Sequence, residues 1–102
     1  MKVNWTYRAK DRLRKIYEHI AEDNEVVATK TVEKILRRSW RLAEPPEIGH
    51  KVIGYEHTEL KEILLRPYRV IYIVKDQQID IISVLHYRQL LPSDLSTKIV
   101  DL

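Results

Sequence analysis

Apolar residues recur along this chain with two different periods, and the change of period divides it into elements. Val3 and Trp5 alternate with polar neighbours, which predicts a short first strand. Thr6 follows in the position of a helix N-cap. Ala9, Leu13, Ile16 and Ile20 then recur at spacings of 4, 3 and 4, the inner stripe of an amphipathic helix that runs to about Glu22. Asp23-Asn24 interrupts the pattern. A second helix is predicted from about Glu25 to Ala43, with Ala28, Val32, Ile35, Ser39 and Leu42 on its inner face and Leu36 widening the stripe. Pro45-Pro46 ends it, because proline lacks the amide proton of the helix ladder and disfavours helical geometry in the residue before it.

Beyond the prolines, Glu44 to Thr58 reads as a loop or irregular segment carrying Gly49 and Gly54. Glu59 to Arg66 reads as a strand, and Pro67 interrupts before Tyr68-Arg69-Val70-Ile71-Tyr72-Ile73-Val74, where β-branched and aromatic residues dominate. Lys75 to Gln78 is a hairpin connection, and Ile79 to Leu85 is the last strand. The predicted order is β-α-α-β-β-β: an α+β fold of two layers, with an N-terminal strand, a helical hairpin on one sheet face and a three-stranded antiparallel meander. Residues 1–102 are expected to make one domain, with no internal repeat or linker. Residues 93–102 form a tail in which Leu95, Ile99 and Leu102 are spaced for one or two helical turns against a groove.

Alternation in the Tyr68 strand places Val70, Tyr72 and Val74 on one face and Arg69, Ile71 and Ile73 on the other. Both faces are apolar, and the helices cover only one. The second is therefore expected to meet the tail, another copy of the chain or a different protein.

Composition narrows the chemistry. The chain has no cysteine, which excludes a disulfide framework, a thiolate metal site and a cysteine nucleophile. No apolar run approaches the roughly 20 residues of a membrane span, and the N-terminus has no apolar signal core, so a cytoplasmic protein without a membrane partner is expected. The net charge is +3, and its excess lies early: residues 1–44 hold 11 Lys/Arg against 7 Asp/Glu. Arg8, Arg12, Lys15 and His19 share one flank of the first helix, a pattern that fits a phosphate backbone or a partner protein and equally a solvated flank. Lys34, Arg37, Arg38 and Arg41 cluster late in the second helix, where the helix dipole alone favours cations.

An arginine in an otherwise apolar strand is expensive to bury, so Arg69 either pairs with an acid or lines a groove that receives an anion. Ile82, Val84, His86 and Arg88 share a face by alternation. A histidine beside an arginine suits phosphate chemistry, the imidazole moving a proton while the guanidinium holds charge. Glu62 is either a base or the partner of Arg69. Cleavage of RNA by its own 2′-hydroxyl needs only such groups, without metal or cofactor. The alternative is structural: His86 bonded to a backbone carbonyl and Arg69 in an ion pair. His50, Glu56, His57 and Glu59 bind metals in other settings, but no pair has the spacing of a known site.

The pattern as a whole resembles the RelE/ParE superfamily of toxins from type II toxin–antitoxin modules, the plasmid stabilisation system proteins. The resemblance rests on Trp5-Thr6-Tyr7-Arg8-Ala9, the two helical stripes, Pro46-Glu47-Ile48-Gly49, Leu60-Lys61-Glu62, Tyr68-Arg69-Val70-Ile71-Tyr72, and Val84-Leu85-His86-Tyr87-Arg88 with Leu91-Pro92. It implies a helical hairpin on a twisted antiparallel sheet and a cognate antitoxin whose extended segment wraps the toxin, with assembly as a homodimer or a toxin–antitoxin hetero-oligomer.

The same resemblance implies one of three activities. The first is ribosome-dependent cleavage of messenger RNA, with Arg69 at the scissile phosphate, His86 or Glu62 moving protons, Tyr87 and Arg88 positioning RNA, and Lys61 as a strand lysine. The second is inhibition of DNA gyrase without catalysis, as in ParE-like members. The third is an inactive homologue that only binds antitoxin.

Overall fold

The computed structural model describes residues 1–91. Its elements are β1 (Lys2–Trp5), α1 (Tyr7–Ala21), α2 (Glu25–Trp40), β2 (His50–Lys51), β3 (Lys61–Leu65), β4 (Tyr68–Val74) and β5 (Gln78–His86), with short 3-10 turns at Arg41–Ala43 and Pro46–Ile48. The expected order of elements is observed, with one addition: the segment read as irregular contains β2, which pairs antiparallel with β3 through His50↔Glu62 and Lys51↔Lys61. The five strands form one mixed sheet in the order β1-β5-β4-β3-β2. β3, β4 and β5 are the antiparallel meander. β1 joins its far edge parallel to β5, with Trp5 opposite Ile81.

Local chemistry explains the helix boundaries. Thr6 Oγ1 accepts from the Ala9 amide at 3.2 Å and donates to the Ile81 carbonyl at 2.7 Å, so one hydroxyl caps α1 and ties its start to the sheet. Asn24 Oδ1 accepts from the Val27 amide at 3.1 Å and caps α2. Ser39, a polar residue on an apolar stripe, is satisfied although buried: its hydroxyl accepts from Trp5 Nε1 at 3.0 Å and donates to the Leu36 carbonyl at 2.7 Å.

The main core lies between the helices and the sheet, where Trp5, Ala9, Leu13, Ile35 and Leu42 pack on Val70, Tyr72, Ile79, Ile81 and Val84. The opposite face is not left open. Val52, Leu60 and Leu91 pack there on Ile71, Ile73 and Leu85, with Tyr55 at the margin. Chain between β2 and β3, with Leu91, thus occupies the surface expected to meet the tail, another copy or a different protein. A loop of mixed composition shows no periodicity, yet Val52, Tyr55 and Leu60 supply enough apolar area to close a small second core. The tail residues Leu95, Ile99 and Leu102 lie outside the described residues.

A β-bulge corrects the expected facing of β5. Ile71 is opposite Ser83 and Tyr72 opposite Ile81, so Ile82 is the extra residue. Ile79 and Ile81 face the helices with Val84, whereas Ile82 packs with the second core. Ile82 therefore does not share a face with Val84 and His86, and Arg88 lies beyond the end of the strand.

Candidate functional site

Arg69 points to the face opposite the helices, as alternation predicts, but it does not open into a free concavity. Its Nε donates to Glu62 Oε2 at 2.8 Å, and one terminal nitrogen donates to the Gln89 carbonyl at 2.8 Å. The two side chains retain only 15% and 10% exposure. Glu62 sits opposite Ile71 on β3 while Leu64 is opposite Arg69, so the ion pair runs diagonally between neighbouring strands. Of the two arrangements open to Arg69 in the sequence, the acid-paired one is observed. A buried guanidinium held by a carboxylate and a carbonyl is a structural tie between the meander and the residues after β5.

His86 lies elsewhere. It pairs with Tyr68 across β4 and β5, whereas Arg69 pairs with Leu85. Cross-strand partners share a face and neighbours in a strand do not, so the sheet separates His86 from Arg69 and Glu62. The His86 ring meets Tyr68 edge-on, with centroids 6.2 Å apart. It borders a recess against α1 that Arg12, Lys15, Ile16, His19 and Gln89 also line. Tyr87 and Arg88 are exposed and engage each other: Arg88 Nε donates to the Tyr87 hydroxyl at 2.8 Å, and its guanidinium lies 5.2 Å from the ring centroid. The Tyr87 amide donates to the Pro67 carbonyl at 2.7 Å, which anchors this turn beside the β3–β4 connection.

The candidate binding residues also divide. Arg12 and Lys15 reach the recess beside His86. Arg8 lies one turn earlier on α1 and is half-buried and engaged. Lys61 is opposite Lys51 and Tyr72 near the other edge of the sheet, away from the α1 residues. Neighbouring charges on α1 neutralise one another in part: Arg14 and Lys15 both pair with Asp11, whose carboxyl is held below its usual range by the bond from Arg14 and then that from Lys15. No group of three or more potential metal ligands occurs among the described residues.

Two features escaped the sequence reading. The first is an apolar groove of about 410 Å³ where the two helices meet β1, lined by Trp5, Leu13, Tyr17, Val32, Leu36 and Trp40 together with Lys10 and Arg14. Trp40 is 54% exposed there. The second is Asp80, buried on β5 and bonded by Asn4 Nδ2 at 3.1 Å, Gln78 Nε2 at 2.6 Å and Lys75 Nζ at 2.9 Å. Burial pushes its carboxyl up, but the bonds from Lys75, Asn4 and Gln78 outweigh this and hold it below 3.8. An acid within an isoleucine-rich strand was the available signal for this network.

The chain is thus a small α+β fold: a helical hairpin on a mixed five-stranded sheet, whose meander carries a buried arginine tied to the following turn. Comparison with protein families matches residues 3–91 to the ParE toxin of the type II toxin–antitoxin system parDE. The chain belongs to this family, within the RelE/ParE superfamily. Comparison with curated proteins gives no match. Eleven chains of solved structures match. One, described as "Chromosomal ParDE TA system from P. aeruginosa", shares the fold at a TM-score of 0.72 and 24% identity, covering 84% of this chain and 95% of that one.

Proposed function

We propose that this ParE-family toxin acts by binding DNA gyrase rather than by cutting messenger RNA. The observation that carries this reading is the division of its charged groups by the sheet. Messenger cleavage as the resemblance implies it needs Arg69 at the scissile phosphate with His86 or Glu62 moving its protons. Here Arg69 and Glu62 neutralise each other on one face and His86 stands on the other. Tyr87 and Arg88 are engaged with each other. The family match favours the gyrase side as well.

The proposed partner is a cognate antitoxin forming a hetero-oligomer with the toxin. The apolar groove on the hairpin supports a docked amphipathic segment, and β1 at the edge of the sheet offers unpaired backbone groups beside it. No helix among the described residues is long and apolar enough to cross a membrane, and the reading invokes no lipid partner.

The test adds the purified toxin to two reactions: supercoiling by gyrase, and translation of a defined message on ribosomes. Loss of supercoiling with intact message is expected. Discrete cuts in the message with unimpaired supercoiling would overturn the proposal.

A further inference from the structure

The recess between α1 and the ends of β4 and β5 presents an unusual convergence of cationic groups. Its volume is about 290 Å³, at the small end of ligand sites, which start near 300 Å³. Arg12, Lys15 and His19 line it from α1, and His86 lines it from the end of β5. Ile16 and the Tyr68 ring supply apolar surface between them. Among the described residues no carboxylate lines it; Asp11, on the same helix, is already shared by Lys15 and Arg14.

Two details point to a ligand with oxygen acceptors. Arg12 Nε is buried without a hydrogen-bond partner, the one such side-chain atom among the described residues. A buried donor left unsatisfied costs about 1–3 kcal/mol, and a turn of the Arg12 side chain toward an acceptor held in the recess recovers it. The His86 Nδ1 accepts from the Arg88 amide at 3.4 Å, which leaves Nε2 to carry the ring proton and to donate.

We propose that this recess binds the phosphate of a nucleotide. The Arg12 guanidinium, with Lys15 (shared with Asp11) and the two imidazoles beside it, offers more donors than a single carboxylate uses and suits a phosphomonoester. The Tyr68 and imidazole rings offer surfaces on which a base or sugar can lie. Size limits the occupant to about one nucleotide unit, whether free or at the 5′-phosphorylated end of a strand. The site lies across the sheet from Arg69 and Glu62, and it stands independently of the gyrase reading.

Calorimetric titration of the intact protein tests this with adenosine 5′-monophosphate, adenosine, a 5′-phosphorylated DNA oligonucleotide and its unphosphorylated twin. Saturable binding of the monophosphate is expected, at least tenfold tighter than adenosine. Arg12→Gln and His86→Gln are each expected to weaken it at least fivefold while circular dichroism shows a folded protein. If one variant does not fold, the other decides. A 5′-phosphorylated strand that binds tighter than the monophosphate identifies a strand end; the reverse identifies a free nucleotide. Absence of saturable monophosphate binding by the wild type, equal binding of adenosine, or binding unchanged in the folded variants would overturn the proposal. So would an oligoglutamate peptide that binds in an Arg12-dependent way while the monophosphate does not.

Discussion

The Tyr72 hydroxyl accepts a 2.9 Å hydrogen bond from the Gly49 amide, 23 residues earlier in the chain, and donates one of 2.9 Å to the Pro46 carbonyl. One phenol at the centre of the sheet thereby holds both ends of the turn that follows the helical layer. Burial pushes that phenol above its ordinary pKa, which keeps it protonated and able to donate. The Pro46-Glu47-Ile48-Gly49 motif has a physical reading here. A Cβ at position 49 would lie 2.6 Å from the Glu62 carbonyl oxygen and 2.8 Å from Tyr72 Cε1, so only glycine permits this approach.

Tyr72→Phe removes both bonds and leaves the buried Gly49 amide without its acceptor. A loss of about 1–3 kcal/mol is expected in urea unfolding. Gly49→Ala drives backbone and ring apart and is expected to cost at least as much, about 2 kcal/mol or more. Equal stability of Tyr72→Phe and wild type would show that the clamp contributes nothing.

Acid should weaken the attachment of β1 through Asp80. Its folded pKa is depressed below 3.8, so its contribution is fully present above the unfolded value and is lost as pH falls through the folded one. Asp80→Asn is expected to lower the thermal midpoint at pH 7, where the wild type retains the bonds from Asn4 and Gln78. The difference should shrink as pH falls below 3.8 and the wild-type carboxyl takes its proton. A gap of constant size across this range would remove the carboxylate's role.

Removing one member of the Arg69–Glu62 pair strands the other in a site of about one-tenth exposure. Arg69→Met is expected to destabilise by about 3 kcal/mol, and adding Glu62→Leu to recover most of that loss. Non-additivity in this double-mutant cycle is the readout. Single losses that simply add would mean that the two side chains are not coupled.

The hairpin groove should matter to binding more than to folding. Trp40 is more than half exposed, so Trp40→Ala is expected to change stability by less than about 1 kcal/mol. It should weaken association with the cognate antitoxin by at least tenfold, measured by calorimetry. An unchanged affinity would place the antitoxin on another surface.

Much of the fold was legible because its signals are local. Thr6, the Ala9–Leu13–Ile16–Ile20 stripe, Pro45-Pro46 and the Tyr68–Val74 run each act within a few residues. The pairing of β1 parallel to β5 is set by contacts across the whole chain, such as Trp5 with Ser39 and Thr6 with Ile81. The bulge at Ile82 was hidden because a run of Ile79, Ile81, Ile82 and Val84 is apolar in either facing. That one inserted residue puts Ile79 and Ile81 on the helix face with Val84, whereas His86 is parted from Arg69 by the register beyond the bulge, which pairs it with Tyr68. The partner of Arg69 was within reach, since Glu62 lies near it on the preceding strand; the choice between an ion pair and an open anion site needed the diagonal geometry of β3 and β4.

Whether this toxin works by occupancy is measured most directly by titrating it against gyrase at two fixed gyrase concentrations and following supercoiling. The account predicts that the amount of toxin needed for full inhibition rises in proportion to the gyrase present, as a stoichiometric complex requires. Full inactivation by the same trace of toxin at both concentrations, the mark of turnover, would contradict it.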